Sequence, residues 1–334
     1  MQIDRQPRRR FLKSAALLGL GASVGAPMLA RAADSYPNKT IRFICPFATG
    51  GSADLVARVV AEQLTLRMGQ SMIVENRTGA GGNIGTRMVQ VAPPDGYTLL
   101  LGYDGTLAVN PHIYRNLPFD TVTDFQPVGF IGDVPLMVLV NPNIPAKTLK
   151  ELVAYSKTVP NGLGYGTPGV GSTQHLMFEL IKERTGANFV HVPYRGAAPA
   201  MVDAMGGTIP MVGAALAGSV EYIKSGKLRA LAISGTGRTH YFPDLPTLSE
   251  AGLTGISITT WHGLLAPKGT PPAIVAKLNS ELNAALRDPK VVARLDVIGS
   301  IPSPSTPESF RERIKRDRDM DAELVKAAKI QPMD

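Results

Sequence analysis

Short apolar runs alternate with segments of helical period along almost the whole chain, and few architectures accept that alternation. Ile41–Phe47 reads as a buried strand ended by a glycine turn. Ser52–Met68 then sets Leu55, Val59, Val60 and Leu64 on one helical stripe, and Gly69 supplies the stop. Met72–Glu75 is a second strand, Gly82–Val91 a helix, Pro93-Pro94-Asp95-Gly96 a turn and Tyr97–Leu101 a third strand. This β-α-β-α-β order predicts an α/β fold with mainly parallel sheets flanked by helices.

The pattern then starts again. Strands are expected at Leu136–Val140, Leu163–Gly166, Phe189–Val192, Ile209–Val212 and Leu228–Ile233, with helices between them. Thr148 and Glu151 form a capping box that opens one of these helices. Ile256–Leu265 reads as an extended return segment, followed by helices over Pro271–Leu286 and Pro307–Ile330. The last is so charged that a solvated outer face is its simplest reading. About 300 residues beyond the N-terminus exceed the usual single core, so two lobes are expected.

The N-terminus carries an export address. Arg8-Arg9-Arg10-Phe11-Leu12-Lys13 is a twin-arginine pattern, followed by a short Gly/Ala-rich apolar stretch and the small-residue site Ala30-Arg31-Ala32. Residues 1–32 therefore read as a signal peptide, too short and too glycine-broken in its apolar part to span a bilayer. This segment holds six basic residues against Asp4, so the net charge of +8 leaves +3 for the rest. A nucleic-acid partner thereby loses its main support. Cys45 is the only cysteine, which excludes an intrachain disulfide, and its apolar setting predicts an inert buried thiol.

Two glycine-bracketed turns each end a strand and open a helix, one in each half of the chain. The first runs from Pro46 through Phe47, Thr49, Gly50, Gly51 and Ser52 to Asp54. The second runs from Tyr165 through Thr167, Gly169, Gly171, Ser172 and Thr173 to His175. A helix start leaves backbone N–H groups unpaired and carries partial positive charge, and glycine lets a ligand oxygen approach them. Facing each other, the turns would hold an anion at the C-terminal edges of the strands. Either turn alone is equally well explained as a tight connection capped by Ser52 or Ser172. The pair, one per half, points to binding. Asp54 would repel a ligand carboxylate, so its expected role is to complement the helix start or tie down the loop, with His175 bracing the other turn.

Enzyme signatures are mostly missing. The sequence has no nucleophile elbow, P-loop, H-E-x-x-H or paired-cysteine metal spacing, and its histidines are scattered. Neither metal nor cofactor is expected. The glycine stretch Gly79–Gly85 lacks dinucleotide spacing and reads as a loop and helix start. Trp261 either lines a cleft at the hinge or packs in the core.

An ordered series of short motifs runs through Tyr36-Pro37-Asn38-Lys39, Pro46-Phe47 with Gly50-Gly51 and Asp54, Val74-Glu75-Asn76-Arg77, and Gly81-Gly82-Asn83-Ile84-Gly85. It continues through Pro94–Leu99, Tyr165-Gly166, Gly169, Gly171, His175-Leu176, His191-Val192-Pro193-Tyr194 with Gly196, Gly226–Ala232, Trp261 and Gly263–Pro267. In these motifs the chain resembles the Bug family of periplasmic receptors, the substrate-binding components of tripartite tricarboxylate transporters. The resemblance implies a two-lobed type II periplasmic binding protein, or Venus flytrap. Lobe 1 would comprise residues 33–133 and 262–334, and lobe 2 residues 134–261. It further implies that Phe47–Ser52 and Thr167–Thr173 grip the carboxylate of a small organic, dicarboxylic or aromatic acid through backbone groups, partly via water. The implied partners are that ligand and the membrane permease subunits of a tripartite transporter. The implied protein is a non-enzymatic periplasmic monomer that does not bind nucleic acid. Signalling to a sensor kinase and, further off, an exported hydrolase or transferase are the alternatives. Family members often carry an acidic residue just after the strand matching Ile209–Gly213, where this chain has Ala214-Ala215. If Ala214 faces the cleft, the lost charge disfavours ammonium-bearing ligands and leaves room for a bulkier acid.

Overall fold

The computed structural model describes residues 36–256 and 258–333, so the twin-arginine pattern and the Ala30–Ala32 site lie outside the described residues. Of the N-terminal unit Met1–Asn38 only Tyr36 to Asn38 are described, and the architecture is that of the unit from Lys39 onward.

Strand β1 (Ile41–Cys45) buries every residue but Arg42, as a run of Ile, Phe, Ile and Cys dictates. It pairs in parallel with β2 (Met72–Asn76) and β3 (Thr98–Tyr103). The connections are helix α1 (Ser52–Met68) and helix α2 (Asn83–Gln90). In α1 the buried stripe is Val56, Val59, Val60 and Leu64, with Leu55 only half buried, and Gly69 ends the helix in the left-handed conformation at φ 69°. Each such Val or Leu contributes roughly 1.5–3 kcal/mol on burial. The short helix α3 (Asn110–Ile113) follows β3.

A strand unforeseen in its first two-thirds then unites the sheet. β4 (Phe125–Val140) runs for 16 residues. Over Phe125–Pro135 it pairs antiparallel with β9 (Thr259–Pro267), and over Leu136–Val140 with β7 (Met211–Ala215). The second half holds helix α4 (Leu149–Ser156), β5 (Leu163–Thr167), helix α5 (Thr173–Thr185), β6 (Phe189–Pro193), helix α6 (Ala197–Gly206), helix α7 (Val220–Lys224) and β8 (Arg229–Ile233). The sheet order is β2-β1-β3-β9-β4-β7-β5-β6, with β8 and β10 (Ile301–Pro302) also on β4. The expectation of mainly parallel sheets holds for the flanking strands of each half. The middle is antiparallel, because β4 and β9 carry the chain from one half to the other and back.

After β9 come helix α8 (Pro272–Arg287), helix α9 (Pro289–Val297) and helix α10 (Pro307–Ala327). α10 is not merely a solvated face. It buries Phe310 and Ile314 in one apolar cluster and Val325 in another, together with Asp317 and Asp321. Asp317 is tolerated there because the Trp261 Nε1–H donates to it at 2.9 Å and Arg313 at 2.8 Å. Burial, with Asp104 and Asp317 nearby, pushes Asp321 up to about 8. Among the described residues no helix is long and apolar enough to cross a membrane.

Candidate carboxylate-binding site

The first turn leaves β1 and enters α1 at Gly51, which sits at the helix cap with extended backbone (φ −81°, ψ 170°) and no side chain to offer. Ser52 is the first helical residue and caps nothing. The N–H groups of the opening turn of α1 therefore have neither an intrahelical nor a side-chain partner. The nearest carboxylate, Asp54, is occupied. It accepts from the Gly50 N–H at 3.0 Å, from Arg58 Nε at 3.0 Å and from Asn76 Nδ2 at 2.9 Å. The same Asn76 nitrogen donates to the Phe47 carbonyl at 2.8 Å. Burial opposes the charge of Asp54, but these hydrogen bonds prevail and hold its pKa below the usual carboxylate range. Asp54 thus staples the loop. Thr49 and Gly50 lie at its exposed tip.

The second turn uses its polar groups on itself. Ser172 caps α5 by accepting from the His175 N–H at 3.2 Å and donates to the Gly169 carbonyl at 2.7 Å. Thr167 Oγ1 lies 2.6 Å from His191 Nε2 and accepts from the Gly169 N–H at 3.2 Å. The Gly171 N–H reaches His175 Nδ1 at 3.4 Å. His175 stacks on His191 with ring centroids 4.0 Å apart, and burial lowers both, to about 4 and about 3, so both are neutral near pH 7. The Thr173 N–H meets the Tyr103 hydroxyl at 3.2 Å. Tyr103 donates in turn to Gln174 Oε1 at 2.7 Å. Thr173 Oγ1 donates to Asp104, whose carboxylate also accepts from Thr260 Oγ1 at 2.5 Å and from the Trp261 N–H at 3.2 Å. Burial lifts Asp104 to about 7 against these hydrogen bonds.

The structure brings Phe47, Gly51 and Ser52 to one small cavity, with Ala53 and Tyr103 beside them and Pro168, Gln174 and Ala197 across from them. Its volume of about 10 Å³ is room for one water at most. Opposite Gly51 stands the start of α6. A Cβ added to Gly51 would lie 3.8 Å from the Ala197 nitrogen. Gly196 caps α6 at φ 149° and, like Gly51, supplies no side-chain oxygen. The helix ends that confront one another without caps are therefore those of α1 and α6, while α5 stands by with its own cap filled. The signal for α6 was available, because Arg195-Gly196-Ala197 is a third glycine turn between a strand and a helix. Tyr103 and Gln174 carried no comparable local signal.

Of the expected site residues, Thr49, Gly50, Asp54, Thr167, Gly171, Ser172, Thr173 and His175 shape the two turns without lining either cavity of the cleft, and two more lie away from the turns. Trp261 is 1% exposed and packs against Phe130 and Phe310, tethered to Asp317, so it is a core residue and not a wall of the cavity. Ala214 is fully buried in β7 opposite Met137, in the cluster with Ala197 and Ala200, and lines neither cavity of the cleft. The reasoning from its lost charge to a bulkier ligand therefore has no support in the geometry. A larger cavity, about 540 Å³, shares Phe47 and Pro168 with the first and is lined by Gly79–Gly82, Gly169, Val170 and Arg195. The glycine stretch is needed here for close approach. Gly81 has φ 60°, and a Cβ on it would overlap the Val170 carbonyl oxygen across the cleft. Among the described residues no group of three or more His, Cys, Asp or Glu converges as a metal site would require.

Known proteins resemble the chain over most of its length. Residues 56–311 match the family described as Tripartite tricarboxylate transporter family receptor. Protein BugT of Bordetella pertussis is 39% identical over 291 residues, which is 87% of this chain and 88% of BugT. A solved structure described as a periplasmic transporter superposes with a TM-score of 0.86 at 44% identity, covering 89% of this chain and 99% of the other. Rpa4515 of R. palustris, solved with adipate, gives a TM-score of 0.87 at 34% identity, covering 89% of this chain and all of its own. The fold is thus that of periplasmic binding proteins, and the chain belongs to the tripartite tricarboxylate transporter receptor family.

Proposed function

We propose that this protein captures a small carboxylate between two lobes in the periplasm and presents the closed form to the permease subunits of a tripartite transporter, without chemical turnover. One lobe comprises residues 33–133 and 262–334 and the other residues 134–261, with β4 and β9 as the connection between them. The observation that carries the reading is the uncapped start of α1 facing the uncapped start of α6 across a small cavity. Each charge-assisted hydrogen bond is worth roughly 1.5–3 kcal/mol, so a few backbone donors reach micromolar affinity after the cost of closure. Adipate in the related Rpa4515 supports the same ligand class. Export follows the twin-arginine route, on the strength of Arg8–Lys13, and the receptor acts as a monomer.

A thermal-shift screen of the purified protein against mono-, di-, tri- and aromatic carboxylates tests this directly. A ligand at about a hundredfold over its Kd is expected to stabilise by about 2.7 kcal/mol. A flat response across all four classes would overturn the reading.

A further inference from the structure

We infer that a cavity behind the hinge is a regulatory site, in which an uncharged, partly apolar molecule holds the carboxylate cleft shut. The inference rests on the two-lobed receptor reading and adds its regulation. Where the halves join, β4 and β9 pair Asp133 with Trp261, Val134 with Thr260 and Pro135 with Thr259, and paired residues share a face of the ribbon. Thr260 points to one face, where its hydroxyl and that of Thr173 in the second turn meet on Asp104, beside the Tyr103 that lines the small cavity. Asp133, Pro135 and Thr259 point to the other face, into a separate cavity of about 510 Å³. Asp296 and Arg313 bound it from one half, Leu216 and the loop over residues 234–241 from the other.

Bending that parts the halves on the cleft face brings them together on the far face. In this structure the halves meet on the cleft face, where the Ala48 N–H donates to the Arg195 carbonyl at 3.1 Å. The far face is then spread, and this cavity is the space that opening must consume. Little else there can yield. A Cβ on Gly299 would lie 2.6 Å from Leu216 Cγ, and the Tyr241 hydroxyl donates to Asp296 at 3.1 Å. An occupant therefore resists opening, and by linkage it and the carboxylate each raise the other's affinity by the same factor. The walls specify its chemistry. Arg313 pairs with Asp133 at 2.7 Å, Arg238 pairs with Glu250 at 3.0 Å, and His240 lies 3.3 Å from Asp296, so each of these side chains already has a partner. An ion would have to break one of these pairs. Pro135, Leu216, Ile233 and Ile301 supply apolar surface, with the Thr236 hydroxyl beside them. A neutral molecule with an apolar body suits such a wall.

Covalent filling of the cavity tests the coupling. Thr236 is exposed on the cavity wall and Cys45, the only cysteine, is fully buried, so T236C offers one accessible thiol and the parent protein is the unlabelled control. The benzyl methanethiosulfonate adduct of T236C is expected to bind adipate about five- to tenfold tighter in titration calorimetry. It is also expected to lower the radius of gyration of the carboxylate-free protein in small-angle X-ray scattering. The methyl adduct, too small to fill the space, is expected to change neither. Circular dichroism establishes folding, and G237C carries the test if T236C is not folded, since a Cβ on Gly237 meets no atom within 4 Å. Unchanged or weaker adipate binding, or an unchanged radius, in the benzyl adduct would overturn the inference while leaving a carboxylate receptor in place. Failure of the unmodified protein to bind adipate or any other carboxylate would instead remove the receptor reading beneath it, and the radius alone would then decide whether the cavity governs the halves.

Discussion

The two βα turns look alike in sequence, each a glycine-bracketed loop with serine at the helix start, yet they treat backbone donors in opposite ways. The turn before α5 spends them on Ser172, Thr167, His175 and Tyr103. The turn before α1 leaves the opening N–H groups of the helix uncapped and turns Asp54 back into the loop. A side-chain cap and a ligand oxygen compete for the same donors. Gly51, and not the serine after it, is thus what leaves the first turn's donors uncapped. The second turn is held by its own side chains together with Tyr103 and Asp104.

The largest effect is expected where the second turn is pinned to the first half. Asp104 accepts from Thr173, Thr260 and the Trp261 N–H in full burial, which raises it to about 7. An acid raised on folding binds its proton more tightly in the native state. Its contribution is therefore complete below about pH 4 and is lost as pH rises through 7. Every tenfold gain in proton affinity on folding is worth about 1.4 kcal/mol, so the loss is several kcal/mol across that window. D104N should flatten the fall in urea midpoint between pH 4 and 7. Asp321, raised to about 8, leaves a residual slope of the same sign, so the difference between the two curves is the quantity to read. An unchanged slope would show that Asp104 does not pin the turn.

Next comes conversion of one turn into the other. Gly51 has an ordinary cap geometry, and a Cβ there makes only ordinary contacts, so G51D folds and gains a few tenths of a kcal/mol from its new cap. Its carboxylate would occupy the donors and repel the ligand. Carboxylate affinity is expected to fall about a hundredfold by calorimetry, roughly 2.7 kcal/mol. Retained affinity would dissolve the contrast between the turns. The smallest effect is S172A, which removes the cap of α5. Denaturant unfolding should show a loss of about 1 kcal/mol, while ligand affinity changes only a few fold.

Much of this was readable from local pattern. The alternation of strands and helices, the left-handed stop at Gly69 and the Thr148 cap of α4 depend on neighbours in sequence, and they were legible for that reason. The first two-thirds of β4 were not, because Pro127, Gly129 and Gly132 interrupt its pattern, and the register shifts between Pro127 and Gly129 and again between Phe130 and Gly132. The buried face of α10 was hidden by its acids, which only tertiary partners such as Trp261 and Arg313 make tolerable. Both turns were found, but which of them keeps free donors depended on whether glycine or serine occupies the cap, a shift of one position. Tyr103 and Gln174 meet across 71 residues and leave no local trace.

The uninterrupted β4 has a mechanical consequence. A strand hydrogen-bonded to β9 along one stretch and to β7 along the next cannot let the two sheets slip past one another without breaking a ladder. Bending and twisting over the few peptides near Pro135, where the partner changes, would break no ladder. If the halves move as the proposed receptor requires, their displacement is then reduced to something close to one angle. A partner that recognises the occupied state would need to sense only that angle, whatever the chemistry of the cargo inside.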